Sequence, residues 1–430
     1  MIEKTERERI IALVKREVIP AIGCTEPVAV ALCTARACEI LGVQPTSIDV
    51  YLSANVLKNA MGVGIPGTGM SGLPIAIALG ALIGKASYQL EVLKDVTPSD
   101  VERGKQLIDA KVIQISLKEN TTEKLYIEVV CSAGSERATA VIAGGHTYFV
   151  YEAKGEQILL NRQQTSEQEE TGSPELSFSK VYEFAMESPL EEIAFILESA
   201  RLNKGAAEFA LQKGKSYGHG LGKMLNEVHQ QKMMGEGLFP VILSYTAAAC
   251  DARMAGAMVP VMSNSGSGNQ GIAATLPVVV YAEKSGVREE QLIRALMLSH
   301  LTVIYIKQSM GRLSALCGCV IAATGSSCGI TYLMGGSYEQ ITYAVKNMIA
   351  NLTGMVCDGA KPSCALKLTS GVSTALFSAM LAMENECVES VEGIIDDDVE
   401  KSIHNLVLIG SQGMNETDKL ILEIMTHKCI

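Results

Sequence analysis

The sequence has no tryptophan, and its thirteen Tyr and seven Phe leave aromatic residues at 5% of 430. Stacking platforms for nucleic-acid bases are therefore scarce. Charged residues are sparse at 19%, and acidic ones outnumber basic ones by 47 to 36, a net charge of −11. A chain of that sign has no electrostatic reason to seek phosphate backbones or an anionic membrane. The expectation is thus no nucleic-acid partner and no membrane partner. Residues 1–9 hold no apolar run of the secretory kind, which points to a cytoplasmic protein. In that reducing compartment the twelve cysteines are thiols or metal ligands, not a disulfide framework. Histidine is rare, with six in all, and no HExxH, GxSxG, Walker or kinase signature occurs.

What the chain does have is apolar bulk. Hydrophobic residues make up 48%, enough for a large interior, and the length suits two domains. Residues 59–84, 254–282 and 313–338 carry no charge, and each is long enough to span a bilayer. All three are rich in Gly, Ser, Thr or Asn, which favours buried helices and loops around a site over transmembrane helices. Helical spacing over 6–18, 27–41 and 101–110 mixes with strand patterns over 47–52, 111–117, 124–130 and 139–143. Residues 161–175 are polar and read as a linker. Beyond them helix follows helix, at 188–212, 225–235, 239–258, 288–307, 338–352, 370–383 and 399–409. The expected fold class is α+β. An α/β domain with a largely antiparallel sheet occupies 1–160, and a mainly helical domain occupies 176–430.

Four constellations could carry chemistry. Cys317-Gly-Cys319 and the pair Cys357 and Cys364 lie in the helical half. On a helix Cys317 and Cys319 diverge, whereas on a turn both could serve one site. Such thiols suit zinc or iron–sulfur, or they are simply small buried hydrophobes. The run Ser263-Asn264-Ser265-Gly266-Ser267-Gly268-Asn269-Gln270-Gly271 precedes an apolar stretch and can cradle a carboxylate, or pack two helices closely. In Ile22-Gly23-Cys24-Thr25-Glu26-Pro27, Thr25 suits an N-cap, and Cys24 just before a helix would have its thiolate stabilised. The stretch from Lys58 and Asn59 to Thr68 is glycine-rich without the GxGxxG order, so it fits a substrate-lining loop better than a dinucleotide site. His146 and His219 sit among glycines, where either a substrate contact or a structural role is open.

Taken in order, residues 22–29 (IGCTEPVA), 58–68 (KNAMGVGIPGT), 265–272 (SGSGNQGI), 316–327 (LCGCVIAATGSS) and 356–367 (VCDGAKPSCALK) resemble the L-cysteine desulfidase family, kin to the α-chain of iron–sulfur serine dehydratases. The resemblance spans nearly the whole chain. It implies a 4Fe–4S cluster held by Cys317, Cys357 and Cys364, with Cys319 as an alternative first ligand and Cys429 as a candidate displaceable one. It implies β-elimination of sulfide from L-cysteine, leaving pyruvate and ammonia. Cys24 and Lys58 would be catalytic. Thr25, Glu26, Asn59, Ser265, Ser267, Asn269 and Gln270 would contact the small amino-acid substrate, and Lys361 would balance cluster charge. Rival readings are an L-serine dehydratase or related lyase on the same scaffold, and a non-catalytic membrane or scaffold protein. An apolar helical domain of this size also suits a homodimer.

Overall fold

The computed structural model describes residues 2–119, 121, 123, 125–162, 174–227, 232–310 and 314–427. Most of the 161–175 linker, part of the helix expected at 225–235, and Cys429 lie outside the described residues.

The chain opens with α1 (Lys4–Glu17), β1 (Pro20–Ile22), α2 (Thr25–Leu41), β2 (Ser47–Leu52), α3 (Ala54–Ala60), α4 (Leu73–Ile83) and α5 (Pro98–Asp109). Strands β3 (Ile113–Leu117), β4 (Tyr126–Ala133), β5 (Glu136–Ala143), β6 (Phe149–Lys154) and β7 (Gln157–Asn161) follow. Six of these strands form one sheet in the order β3-β2-β4-β5-β6-β7. Only the β2–β3 pair is parallel. In β2 every second side chain is buried, Ile48, Val50 and Leu52, because a pleated strand presents alternate residues to one face. Helix α2 covers that face, with α4 and α5 packed beyond it.

The helical half comprises α6 (Phe178–Glu187), α7 (Leu190–Ile193), α8 (Leu197–Leu211), α9 (Leu221–Leu225), α10 (Leu238–Met254), β8 (Pro260–Met262), α11 (Gly268–Ser285), α12 (Glu289–Met310), α13 (Gly318–Leu333), α14 (Tyr338–Leu352), α15 (Cys364–Met383), α16 (Val399–Leu408) and α17 (Asn415–Thr426). The single helix expected over 188–212 is broken. It starts after Pro189, whose missing N–H suits a first turn, and tightens to 3-10 geometry at Ala194–Ile196 before α8 resumes. Of the helix expected over 225–235, residues 232–234 are helical and residues 228–231 lie outside the described residues, while Leu225 itself closes the short α9. The charge-free stretches fold as interior. Helix α13 is buried along almost its whole length among α11, α12, α14 and α15, as an all-round apolar helix must be. Among the described residues one helix, α15, is long and apolar enough to cross a membrane, and half of it is buried against its neighbours.

The two halves exchange their ends. Helix α1 buries Ile10, Leu13 and Val14 in the helical core. Helix α17 packs on α3 and sends Leu422 into the core beneath the sheet. Strand β1 pairs antiparallel with β8, Pro20 opposite Met262 and Ile22 opposite Pro260. That pairing sets the IGCTEP segment beside the SNSGSGNQG loop, although more than two hundred residues separate them in sequence.

Candidate active site

Glu26 is the hub of the amino-terminal part of the site. Its Oε2 accepts from the Cys24 thiol at 2.9 Å and from the Thr25 hydroxyl at 3.1 Å, and its Oε1 from Asn59 Nδ2 at 3.4 Å. The N-cap is Cys24, not Thr25, and its side chain makes no capping bond. The expectation of a stabilised thiolate is corrected. Burial first, then the neighbouring Glu26 carboxylate, drive the Cys24 pKa well above the ordinary thiol value, against an opposing pull from Arg253. Desolvation disfavours the anion more than the helix end favours it. Cys24 is therefore a thiol with a proton to donate.

The SNSGSGNQG loop is tied to the start of the chain. Ser263 donates through its N–H and its hydroxyl to Ile19 O, at 2.8 and 2.6 Å, and Ser265 N–H donates to Glu17 O. The Ser265 hydroxyl donates to Asn264 Oδ1 at 2.8 Å, while Ser267 caps α11 by accepting from Gln270 N–H. Both serines thus hold the loop in shape. Behind it lies a buried network that the sequence did not disclose. Asn264 Nδ2 donates to His300 Nδ1 at 3.0 Å, His300 Nε2 lies 3.0 Å from the Thr275 hydroxyl, and Asn203 Nδ2 donates to that hydroxyl at 2.9 Å. With Nδ1 accepting, the ring proton sits on Nε2. Burial pushes the His300 pKa down to about 3, so the ring is neutral.

Asn269 and Gln270 point the loop's chemistry toward the second half of the site. Asn269 Oδ1 accepts from Arg253 Nη1 at 3.0 Å and from the Cys250 thiol at 3.6 Å. The side chain of Gln270 lies on Gly318, where a Cβ would stand 2.9 Å from its Cδ. This places the carboxylate-cradle candidate against the first turn of α13, next to Cys317.

The cysteines come together through backbone geometry. Leu316 and Val356 form an antiparallel bridge. Cys317 N–H donates to Met355 O at 2.9 Å, and Cys357 N–H to Ala315 O at 2.6 Å. Cys317 is the N-cap of α13 and Cys319 its second residue, so the pair straddles the helix start, and their sulfurs approach to 3.3 Å. Cys364 opens α15. The Cys357 pKa is raised well above normal by its bond with Cys317 and by burial, while Lys58 works the other way. Burial likewise raises Cys364, opposed by Lys361 and Lys367. Cys250 is fully buried, and its pKa, raised mainly by burial, also feels Cys364 and Cys317.

Cations crowd this loop. Lys58 is only 2% exposed and pairs with Asp418 of α17. Lys361 Nζ lies 2.5 Å from Asp358 Oδ2, and Lys367 also pairs with Asp358. No trio of His, Cys, Asp and Glu among the described residues stands in the arrangement of a single-ion site. The donor chemistry nonetheless fits an iron–sulfur group. Cys317, Cys357 and Cys364 are soft donors, partly buried, and three lysine charges nearby would favour their thiolate forms.

The sequence model of the serine dehydratase alpha chain family matches residues 87–423. A UPF0597 protein of Bacteroides fragilis is 72% identical over 426 residues, covering 99% of this chain and 99% of its own. A UPF0597 protein of Porphyromonas gingivalis is 55% identical over 433 residues, covering 99% of this chain and all of its own, and one of Oleidesulfovibrio alaskensis is 45% identical over 430, covering 99% of each. This chain belongs to the serine dehydratase alpha chain family.

Proposed function

We propose that the protein is an iron–sulfur lyase that eliminates the β-substituent of a small amino acid, with L-cysteine as substrate and sulfide as leaving group. The observation that carries this reading is the convergence of Cys317, Cys357 and Cys364 on the same region as the Cys24–Glu26 pair. Those three thiols would hold a 4Fe–4S cluster. When bound, such a cluster supplies a Lewis acid for the departing sulfur or the substrate carboxylate. The residues of the chain supply the rest. Glu26 is the carboxylate in place to take the Cα proton, and Cys24, hydrogen-bonded to it, is a proton donor at the same point. The Cβ–S bond breaks with its electron pair on sulfur. The aminoacrylate left behind tautomerises, a proton leaving nitrogen as one arrives at Cβ, and the resulting imine takes up water to give pyruvate and ammonia. Lys58, already paired with Asp418, would stabilise thiolate charge and not act as a base.

L-Serine is the second reading, favoured by the name of the matching family. Thiolate is the better leaving group and the stronger iron ligand, which places cysteine first. The test is anaerobic purification with iron and spectrum measured beside product release. A brown protein that forms sulfide and pyruvate from L-cysteine faster than pyruvate from L-serine supports the proposal. The opposite ranking selects the serine reading. An iron-free protein that cannot be reconstituted ends both.

A further inference from the structure

Arg253 lies at the end of α10 with only 3% of its surface exposed. Its Nε has no hydrogen-bond partner, and it forms no ion pair among the described residues. The one group it meets through Nη1 is a neutral amide, Asn269 Oδ1. Its guanidinium also sits at the start of α11. A Cβ on Gly268, the first residue of that helix, would be 2.2 Å from Arg253 Nε and 2.8 Å from Cζ. A buried cation is thus parked at the positive pole of an 18-residue helix, where the helix dipole repels it. Burying an unpaired charge is costly, and a helix start and a guanidinium both favour an anion. Beside it Gln270 is 5% exposed and its Oε1 also has no partner.

We infer that Arg253 is the seat of the substrate's α-carboxylate, and that Glu26, the carboxylate that the elimination reading also uses, receives the α-ammonium, so that the site selects a free α-amino acid zwitterion. Glu26 meets the Cys24 thiol directly, and the Arg253 charge acts on that thiol with the opposite sign. Gly268 is bare so that the guanidinium can reach the helix start. The side-chain amide of Gln270 completes the polar wall. A hydroxy acid offers the carboxylate without the ammonium, so this pairing separates amino-acid from hydroxy-acid substrates. The inference rests on the elimination reading above for its choice of site, but it concerns binding and not chemistry.

The test is calorimetric titration of the anaerobically purified protein with glycine and L-alanine, which have no β-leaving group, and with propionate, which has no ammonium. Wild-type protein binds the amino acids more tightly than propionate. Arg253→Gln weakens all of them, the amino acids by roughly 100-fold, as expected for loss of one buried charge partner. Glu26→Gln weakens the amino acids while leaving propionate unchanged. Arg253→Lys keeps the charge and the fold and retains part of the affinity, which guards against misfolding of the Gln variant. Glycine and L-alanine binding unchanged in Arg253→Gln overturns the assignment, as does propionate binding as tightly as L-alanine in the wild type. Intact amino-acid binding through Arg253 in a protein without lyase activity would remove the elimination and leave this inference standing. Sulfide release with L-alanine affinity indifferent to residue 253 would do the reverse.

Discussion

Gly359 lies directly on the backbone carbonyl of Lys58. A Cβ on Gly359 would stand 2.1 Å from that oxygen, and the residue has a φ of +88°. The cysteine loop and α3 are therefore in backbone contact, and no other residue type fits between them.

Gly359→Ala meets both the clash and the left-handed backbone. The expected cost is about 2–5 kcal/mol. Gly335→Ala is the control, since Gly335 has a φ of +91° with nothing within 4 Å, and it should cost only about 1–2 kcal/mol. Denaturant midpoints of the two variants measure the difference. Equal losses would mean that the contact with Lys58 contributes nothing.

His300 sets an acid limb to stability. Its folded pKa, pushed down to about 3, lies below the ordinary value of 6.5. Between those values the unfolded chain binds the proton and the folded one does not, so stability falls as pH drops through that window. The slope from this group approaches about 1.4 kcal/mol per pH unit. His300→Gln should flatten the wild-type slope between pH 6 and 4 while lowering stability at neutral pH. A variant with the wild-type slope would show that the acid limb belongs to other groups.

Asp418→Asn leaves the Lys58 ammonium buried without its partner. The expected loss is about 2–4 kcal/mol, moderated because Asp418 keeps some contact with water. The double variant Lys58→Met with Asp418→Leu should recover most of it, since the orphaned charge is gone. Thermal melting of the wild type and both variants decides the matter.

Serine substitutions sort the cysteines. Cys317→Ser, Cys357→Ser and Cys364→Ser are each expected to abolish iron retention and sulfide release. Cys319→Ser should keep most of both, because the Cys319 thiol points to Met355 Sδ and Lys367 O, at 3.3 and 3.5 Å. Iron content and the visible spectrum after anaerobic reconstitution are the readout. Loss of iron in Cys319→Ser with retention in Cys317→Ser would exchange their roles.

Much of this was legible in the chain where pattern and packing agree. Strand β2 runs over the expected 47–52, and α14 over the expected 338–352, because each shows a clean period beside a turn or cap. Strands β6 and β7 were not foreseen. At the edge of the sheet β7 leaves Ile158 and Leu159 exposed, so no apolar-in, polar-out alternation marks it. The loop residues Cys24, Asn269 and Gln270 stood out because glycine and polar residues cluster there. Arg253 and His300 did not, since His300 sits inside an apolar helix and Arg253, at the end of α10, follows Asp251 as if the two were an ordinary charged pair. The signal of His300 was isolation. A charge or an imidazole in an otherwise apolar run must find a partner, and the sequence cannot say which distant segment provides it. Nor could it foretell that β1 would pair with β8.

The exchange of ends between the two halves governs how this protein is born. As the chain emerges from the ribosome, the sheet and its covering helices are made first, yet Lys58 stays without its counterion and Leu422 is missing from the core above. Helix α1 meanwhile waits for α12, nearly three hundred residues later, to cover it. Domains that fold independently can close one after another during synthesis. Here neither half is complete until translation has reached α17, so the region around Cys357 and Lys58 takes its final shape only after that helix has been made.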